Sequence, residues 1–254
     1  METINYPDWY VEVKNICPNR LTEDFLDFME TSLEDCKWKN ITSIGGWFWI
    51  FEMDVAKNWW NVIVVDPVFS DKQHVHNKIN ENIGRLKGKL ETSSRLFATL
   101  YDKQKNPTKW QLEKRKKAEW YRKTQETLLY NLEEREKNQI KYNLSLNASS
   151  GDNIQWIKNE SQDIVMINHT LNHITSKIEN RSTIVKSMLS ESLRIMKKNW
   201  KFWIVDYGGS IWWLWEMETW LKESNKIWWK TKCWSFSSWF SKKWLEMFIK
   251  QYFN

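Results

Sequence analysis

The sequence predicts an α+β fold dominated by helix: a small aromatic-rich β head, a long helical or coiled-coil rod, and a Trp-rich C-terminal segment. Three observations predict it. A heptad ladder runs through the middle of the chain, with Ile157, Ile164, Leu171, Ile178, Val185 and Ser192 seven apart and Glu160, Ile167, Ile174, Arg181, Met188 and Ile195 each three further on. Such a 3.5 repeat is what a left-handed coiled coil needs to keep its seam facing a partner. Only 7 Gly and 4 Pro occur among 254 residues, which leaves few breaks and favours long helices. Aromatic and β-branched runs cluster towards both ends, and 11 of the 20 Trp lie between Trp200 and Trp244.

The head, residues 1–70, reads as β-α-β-β. Residues 10–16 alternate in character and suit a strand, and Leu21 to Cys36 has helical spacing. Gly45-Gly46 punctuates. Trp47 to Met53 and Trp59 to Val65 read as two strands of a hairpin, with Asp66-Pro67 closing the unit. Residues 71–142 read as long basic helices broken at Asn106-Pro107, where Asn can cap and Pro suits a first helical position. The first carries a seam of Ile79, Ile83, Leu86, Leu90, Ser93, Phe97 and Leu100. Residues 143–153 form a polar loop, 154–199 the heptad helix, and 200–254 a Trp-rich β-hairpin followed by a helix. The likeness between residues 198–217 and 45–66 also fits both ends supplying strands to one sheet.

Charge is uneven. The net +6 combines an acidic residue excess over 1–72 with a basic excess over 73–145. Three cysteines without C-x-x-C spacing argue against a disulfide framework or zinc ribbon. The start lacks a basic and apolar leader, and the uncharged aromatic run Tyr207–Trp215 is far shorter than the roughly 20 residues of a membrane span. A cytoplasmic or virion-associated protein is expected.

Chemistry-bearing patterns are few. His74-Val75-His76 resembles the two-histidine core of rolling-circle replication and relaxase enzymes, but stands in a polar helix start instead of an apolar strand. His169 and His173 have an i, i+4 spacing that can bind zinc, without a third ligand. No phosphate loop, G-x-S-x-G or Cys/His pair is present, so no catalytic residue, metal or cofactor is expected. Trp47, Trp49, Trp59, Trp203, Trp213 and Trp215 read as structural.

The sequence therefore predicts a non-enzymatic, self-associating structural or scaffold protein of the kind viruses and mobile elements encode. Assembly as a trimer or tetramer would run through Ile157, Ile164, Ile167, Leu171, Ile174, Ile178, Val185, Met188 and Ile195. The alternative is an oligomeric, sequence-tolerant nucleic-acid-binding protein. It would use Lys114, Arg115, Lys116, Lys117, Arg122 and Lys123 in the basic run 103–123, where Trp110, Trp120 and Tyr121 are interleaved. The Trp/Lys-rich tail offers a membrane surface as a third partner.

Overall fold

A computed structural model describes residues 22, 26, 31–35, 37–46, 48, 50–58, 61–100, 107–142, 144–168, 170, 181–207 and 235–241. Its centre is a mainly parallel sheet. In chain order the elements are β1 (Asn40–Ile44), α1 (Ile50–Ala56), β2 (Asn61–Val65), a 3-10 turn (Pro67–Ser70) and α2 (Lys72–Leu100). Next come α3 (Lys109–Lys141), β3 (Leu144–Asn147), β4 (Gln162–Asn168), α4 (Arg181–Ile195), β5 (Met196–Tyr207) and β6 (Ser235–Ser241). The six strands lie in the order β3-β2-β1-β4-β5-β6. β1 to β5 pair in parallel, and β6 runs antiparallel to β5.

The parallel strands are short apolar runs because both faces of such a sheet are covered. Ile41, Val62, Val64, Leu144, Ile164, Met166 and Trp203 belong to one core with Met53 and Val55 of α1, Ile79 and Leu86 of α2, and Leu128 and Leu132 of α3. Strand side chains alternate between faces. Ile44, Val65, Val165, Ile167, Phe202 and Ile204 accordingly bury the other way, where α4 supplies Val185, Met188 and Leu189. Gly151 is needed there: a Cβ would overlap Ile44 Cγ2 and sit 3.5 Å from Met188 Cε.

This architecture corrects the predicted helical rod with a small β head. A coiled-coil seam requires one continuous helix, and residues 154–199 do not form one. Ile157 lies in a turn, Ile164 and Ile167 on β4, Val185, Met188 and Ile195 on α4, and all six are buried within the chain. Leu171, Ile174 and Ile178 lie outside the described residues. The seven-residue repeat is thus a coincidence of spacing between a buried strand and the helix beyond it. Within the head, residues 50–53 open helix α1 instead of continuing a strand, and β2 is parallel to β1, so no hairpin forms. The segment read as a polar loop contains β3. At the C-terminal end, residues 235–241 are strand where a helix was expected. The expected strand at residues 10–16, and Trp47, Trp49, Trp59, Trp213 and Trp215, lie outside the described residues, while Trp203 is buried in the core.

Between β2 and β3 the chain makes a long excursion of two packed helices. At 1.5 Å per residue, the 29 residues of α2 and 33 of α3 span about 44 and 50 Å. At about 3.3 Å per residue, β2 and β3 beside them span only about 17 and 13 Å. Asp71 Oδ1 accepts from His74 N–H (2.8 Å) at the start of α2. Thr108 and Gln111 make a reciprocal cap at the start of α3: Gln111 Oε1 accepts from Thr108 N–H (2.7 Å) and Thr108 Oγ1 from Gln111 N–H (3.3 Å). The core contacts come from Val75 to Leu86 and from Leu128 to Leu132, so the other halves reach past the sheet. Trp110, Leu112 and Trp120 are exposed there.

Candidate functional site at the sheet switch point

From β1 the strand order advances through β2 to β3 on one side, then resumes on the other with β4 and β5. Neighbouring connections therefore leave β1 and β4 in opposite directions. In open α/β sheets this reversal opens a crevice outside the carboxyl ends of the two strands, where ligands bind. The residues that follow β1, β2 and β4 build the crevice here.

Gly45 follows β1 with φ +79°, a left-handed conformation that favours glycine. Its N–H donates to Val65 O (2.8 Å), which ties the turn to the end of β2. A Cβ at Gly45 would overlap Thr170 Oγ1 and lie 3.1 Å from Asn168 O. The Thr170 hydroxyl is within hydrogen-bond distance of both Ile44 O (3.2 Å) and Asn168 O (3.1 Å), closing the ends of β1 and β4 together. At Gly46 a Cβ would stand 2.5 Å from Glu52 Oε1 and 2.9 Å from Ser43 Oγ. Both positions hold the backbone where any side chain would fill the space.

Beneath Gly46 lies a buried polar cluster. Glu52, in the first turn of α1 and 1% exposed, accepts from Ser43 Oγ–H (2.6 Å) and Asn168 Nδ2 (3.4 Å) through Oε1. An acidic group in the first helical turn also complements the helix dipole. Asn168 closes β4 and is 6% exposed, yet its Oδ1 is buried without a hydrogen-bond partner. Leaving such an acceptor unsatisfied costs about 1–3 kcal/mol.

Asp66 ends β2, twenty positions after Gly46. Its N–H donates to Asn147 O (3.0 Å), and its Oδ1 accepts from Val68 N–H (3.0 Å) to cap the 3-10 turn. An acidic residue at this place and spacing suits the hydroxyls of a ribose. Among the described residues, the first four positions after β1, β2, β3 and β4 hold no Lys or Arg. The described strand ends therefore offer oxygen acceptors and no Lys or Arg.

The other end of the sheet is tied by ion pairs. Asp163 accepts from Asn40 N–H (3.0 Å) and from Lys197 Nζ (2.9 and 3.0 Å). Arg194 near the end of α4 donates to Ile157 O (2.7 Å), Asn159 Oδ1 (2.7 Å), Ile154 O (2.9 Å) and Glu191 (2.7 and 2.9 Å). The hydrogen bonds that Arg194 donates to Glu191 raise the guanidinium pKa above its ordinary value, against the lowering effect of burial.

The residues singled out from sequence lie elsewhere. Lys114, Arg115, Lys116, Lys117, Arg122 and Lys123 are on the outer part of α3, where Lys114 Nζ sits 3.7 Å from the Trp110 ring centre. Arg115 and Arg122 pair with Glu119 (3.4 Å) and Glu126 (3.0 Å) one turn on. Two of the six are thus paired within the helix, none of the six follows a strand of the sheet, and the sheet architecture gives the nucleic-acid alternative no support. His74 and His76 stand at the start of α2, and His169 and His173 are outside the described residues. Among the described residues no group of three His, Cys, Asp or Glu could hold a metal ion, and no helix is long and apolar enough to cross a membrane. The expectation of a non-enzymatic scaffold fails with the coiled coil that carried it, because residues 154–199 supply a strand and a helix to an α/β sheet.

Sequence reasoning missed Gly45, Gly46, Glu52, Asp66, Asn168 and Thr170. The available signal was modest: two glycines after the β-branched run Asn40–Ile44, and an acidic residue closing the apolar run Asn61–Val65.

No protein family and no curated protein matches the chain. Among solved structures it is similar to an S-adenosylmethionine (SAM)-dependent methyltransferase of Aquifex aeolicus, at 13% identity and a TM-score of 0.42, over 88% of this chain and 92% of that one. A Methanococcus maripaludis protein provisionally described as a methyltransferase of the same kind gives 12% identity and a TM-score of 0.41, over 87% and 82%. The YcgJ protein of Bacillus subtilis gives 13% identity and a TM-score of 0.37 over 72% of this chain, which spans 49% of that protein.

Proposed function

We propose that the carboxyl edge of the sheet binds an adenosine-bearing cofactor without phosphates, and that the chain is a SAM-dependent methyltransferase. The observation that carries this reading is the switch point itself: two side-chain-free positions at the end of β1, an acidic residue at the end of β2, and an orphaned acceptor at the end of β4.

The residues fit such a group. Gly45 and Gly46 let the turn after β1 pack directly against Thr170, Glu52 and Ser43, which shapes the backbone at the mouth of the switch point. Asp66 is placed to accept from ribose hydroxyls. A dinucleotide would call for a third glycine in this loop, and the Glu52 carboxylate in the first turn of α1 opposes a pyrophosphate at that helix start. Phe48 occupies that loop instead, and the described strand ends carry no Lys or Arg. A sulfonium cation suits the acceptors at these described strand ends better than a polyphosphate does. When bound, the cofactor supplies a methyl group activated on sulfur. The chain's own residues orient it: Thr170 holds the two strand ends together, and Glu52 fixes Asn168 from below.

Calorimetric titration of the full chain with SAM, S-adenosylhomocysteine, NAD and ATP tests the reading. Saturable binding of the first two, with NAD and ATP inert, is expected. Binding of NAD or ATP in preference to both sulfur ligands would sink it.

A further inference from the structure

Two buried polar atoms on one face of the sheet lack hydrogen-bond partners: Asn168 Oδ1 and Trp203 Nε1. Their residues are 6% and 2% exposed. Met166 is in register with Trp203 and Asn168 with Val205, so the two sit on adjacent strands two residues out of step. Register partners in parallel strands share a face, as do residues two apart. Asn168 reaches Glu52 of α1, and Trp203 belongs to the core that α1 helps to close, which places both on that helix's side. From strand spacing and rise their Cα atoms are about 8 Å apart.

Their requirements are opposite. Asn168 turns Nδ2 towards Glu52 Oε1, an atom that also accepts from Ser43. Reversing the amide would set Oδ1 against another acceptor, so its orientation is fixed and Oδ1 asks for a donor. An indole N–H only donates, so Trp203 asks for an acceptor. An ammonium group would satisfy the first alone, and a carboxylate or phosphate the second alone.

We propose that Asn168 and Trp203 together read a neutral donor–acceptor edge of a ligand at the switch point, of the kind carried by a carboxamide or an aminopurine. Trp203 Nε1–H donates to the acceptor of that edge, and Asn168 Oδ1 accepts from its N–H. The placement rests on the cofactor reading above. The edge belongs either to the adenine of the cofactor or to a carboxamide on a second substrate.

The test is NMR of the full chain labelled with 15N at its indoles, with the Trp203 signal assigned from Trp203→Phe and, should that variant not fold, from Trp203→Tyr. S-adenosylhomocysteine and nicotinamide are titrated separately. A downfield shift of the Trp203 N–H with either probe is expected, and Trp203→Phe should bind that probe about tenfold more weakly. A shift with S-adenosylhomocysteine assigns the edge to adenine, and one with nicotinamide alone assigns a separate carboxamide subsite. Homocysteine-ligand binding with an unmoved Trp203 signal, unchanged affinity in Trp203→Phe and no response to nicotinamide overturns the pair and leaves the cofactor reading standing. A nicotinamide shift without S-adenosylhomocysteine binding does the reverse. A Trp203 signal already downfield without ligand and unmoved by both probes means an internal water and also overturns the pair.

Discussion

Gly45 and Gly151 separate the two uses of a missing side chain. Gly45→Ala places a Cβ against Thr170 in a backbone conformation at φ +79° that alanine resists. It should destabilise the fold by about 1–3 kcal/mol and weaken S-adenosylhomocysteine at least tenfold in calorimetry. Gly151→Ala meets Ile44 on the opposite face and should cost a similar amount, with affinity for the ligand unchanged in the fraction that folds. Asp66→Asn keeps an Oδ1 to accept from Val68 N–H but loses the charge, so its melting temperature should stay near wild type while binding falls roughly tenfold or more. Equal affinities for Asp66→Asn and wild type would remove Asp66 from the site.

At the scale of elements, the helical excursion offers the cleanest stability tests. A Cβ at Gly84 or Gly88 meets nothing within 4 Å, so alanine at either position should add about 0.5–1 kcal/mol to denaturant stability. Thr108→Ala removes the reciprocal cap of α3 and should cost about 1 kcal/mol. Arg194→Met strands the carbonyls of Ile154 and Ile157 together with Glu191, and about 2–3 kcal/mol of loss is expected by urea titration. These same elements show what the sequence made legible. The seam of Ile79, Ile83 and Leu86 does lie on a helix, because a two-helix excursion packs by local, regularly spaced contacts. Asn61 to Val65 reads as a strand from its β-branched run alone. Gln162 to Asn168 does not, since Ile164 and Ile167, three apart on a strand, fall on opposite faces of the sheet yet mimic one face of a helix.

For the whole molecule, what the sequence concealed is pairing. A parallel strand has its partner beyond a crossover, so nothing local marks Ile41 as the neighbour of Ile164. Glu52 and Asn168 are ordinary residues in sequence, and their meaning appears only when α1 and β4 meet across the sheet. The Gly45-Gly46 pair was visible, but without knowledge of strand order it read as punctuation and not as the wall of a crevice.

The central joint of that sheet also sets the tempo at which the chain matures. Asn40 N–H and Asp163 Oδ2, which meet beside the β1–β4 pair, are 123 positions apart. Closing so long a loop is entropically costly and is rewarded only once both strands dock. The α2–α3 hairpin needs no such closure and can condense on its own contacts early. Refolding should therefore show far-ultraviolet ellipticity recovering well before the capacity to bind S-adenosylhomocysteine, with the lag read by stopped-flow mixing. The same ordering in reverse makes the ligand a late-stage lock: bound across the last strands to join, it should slow unfolding far more than it speeds folding.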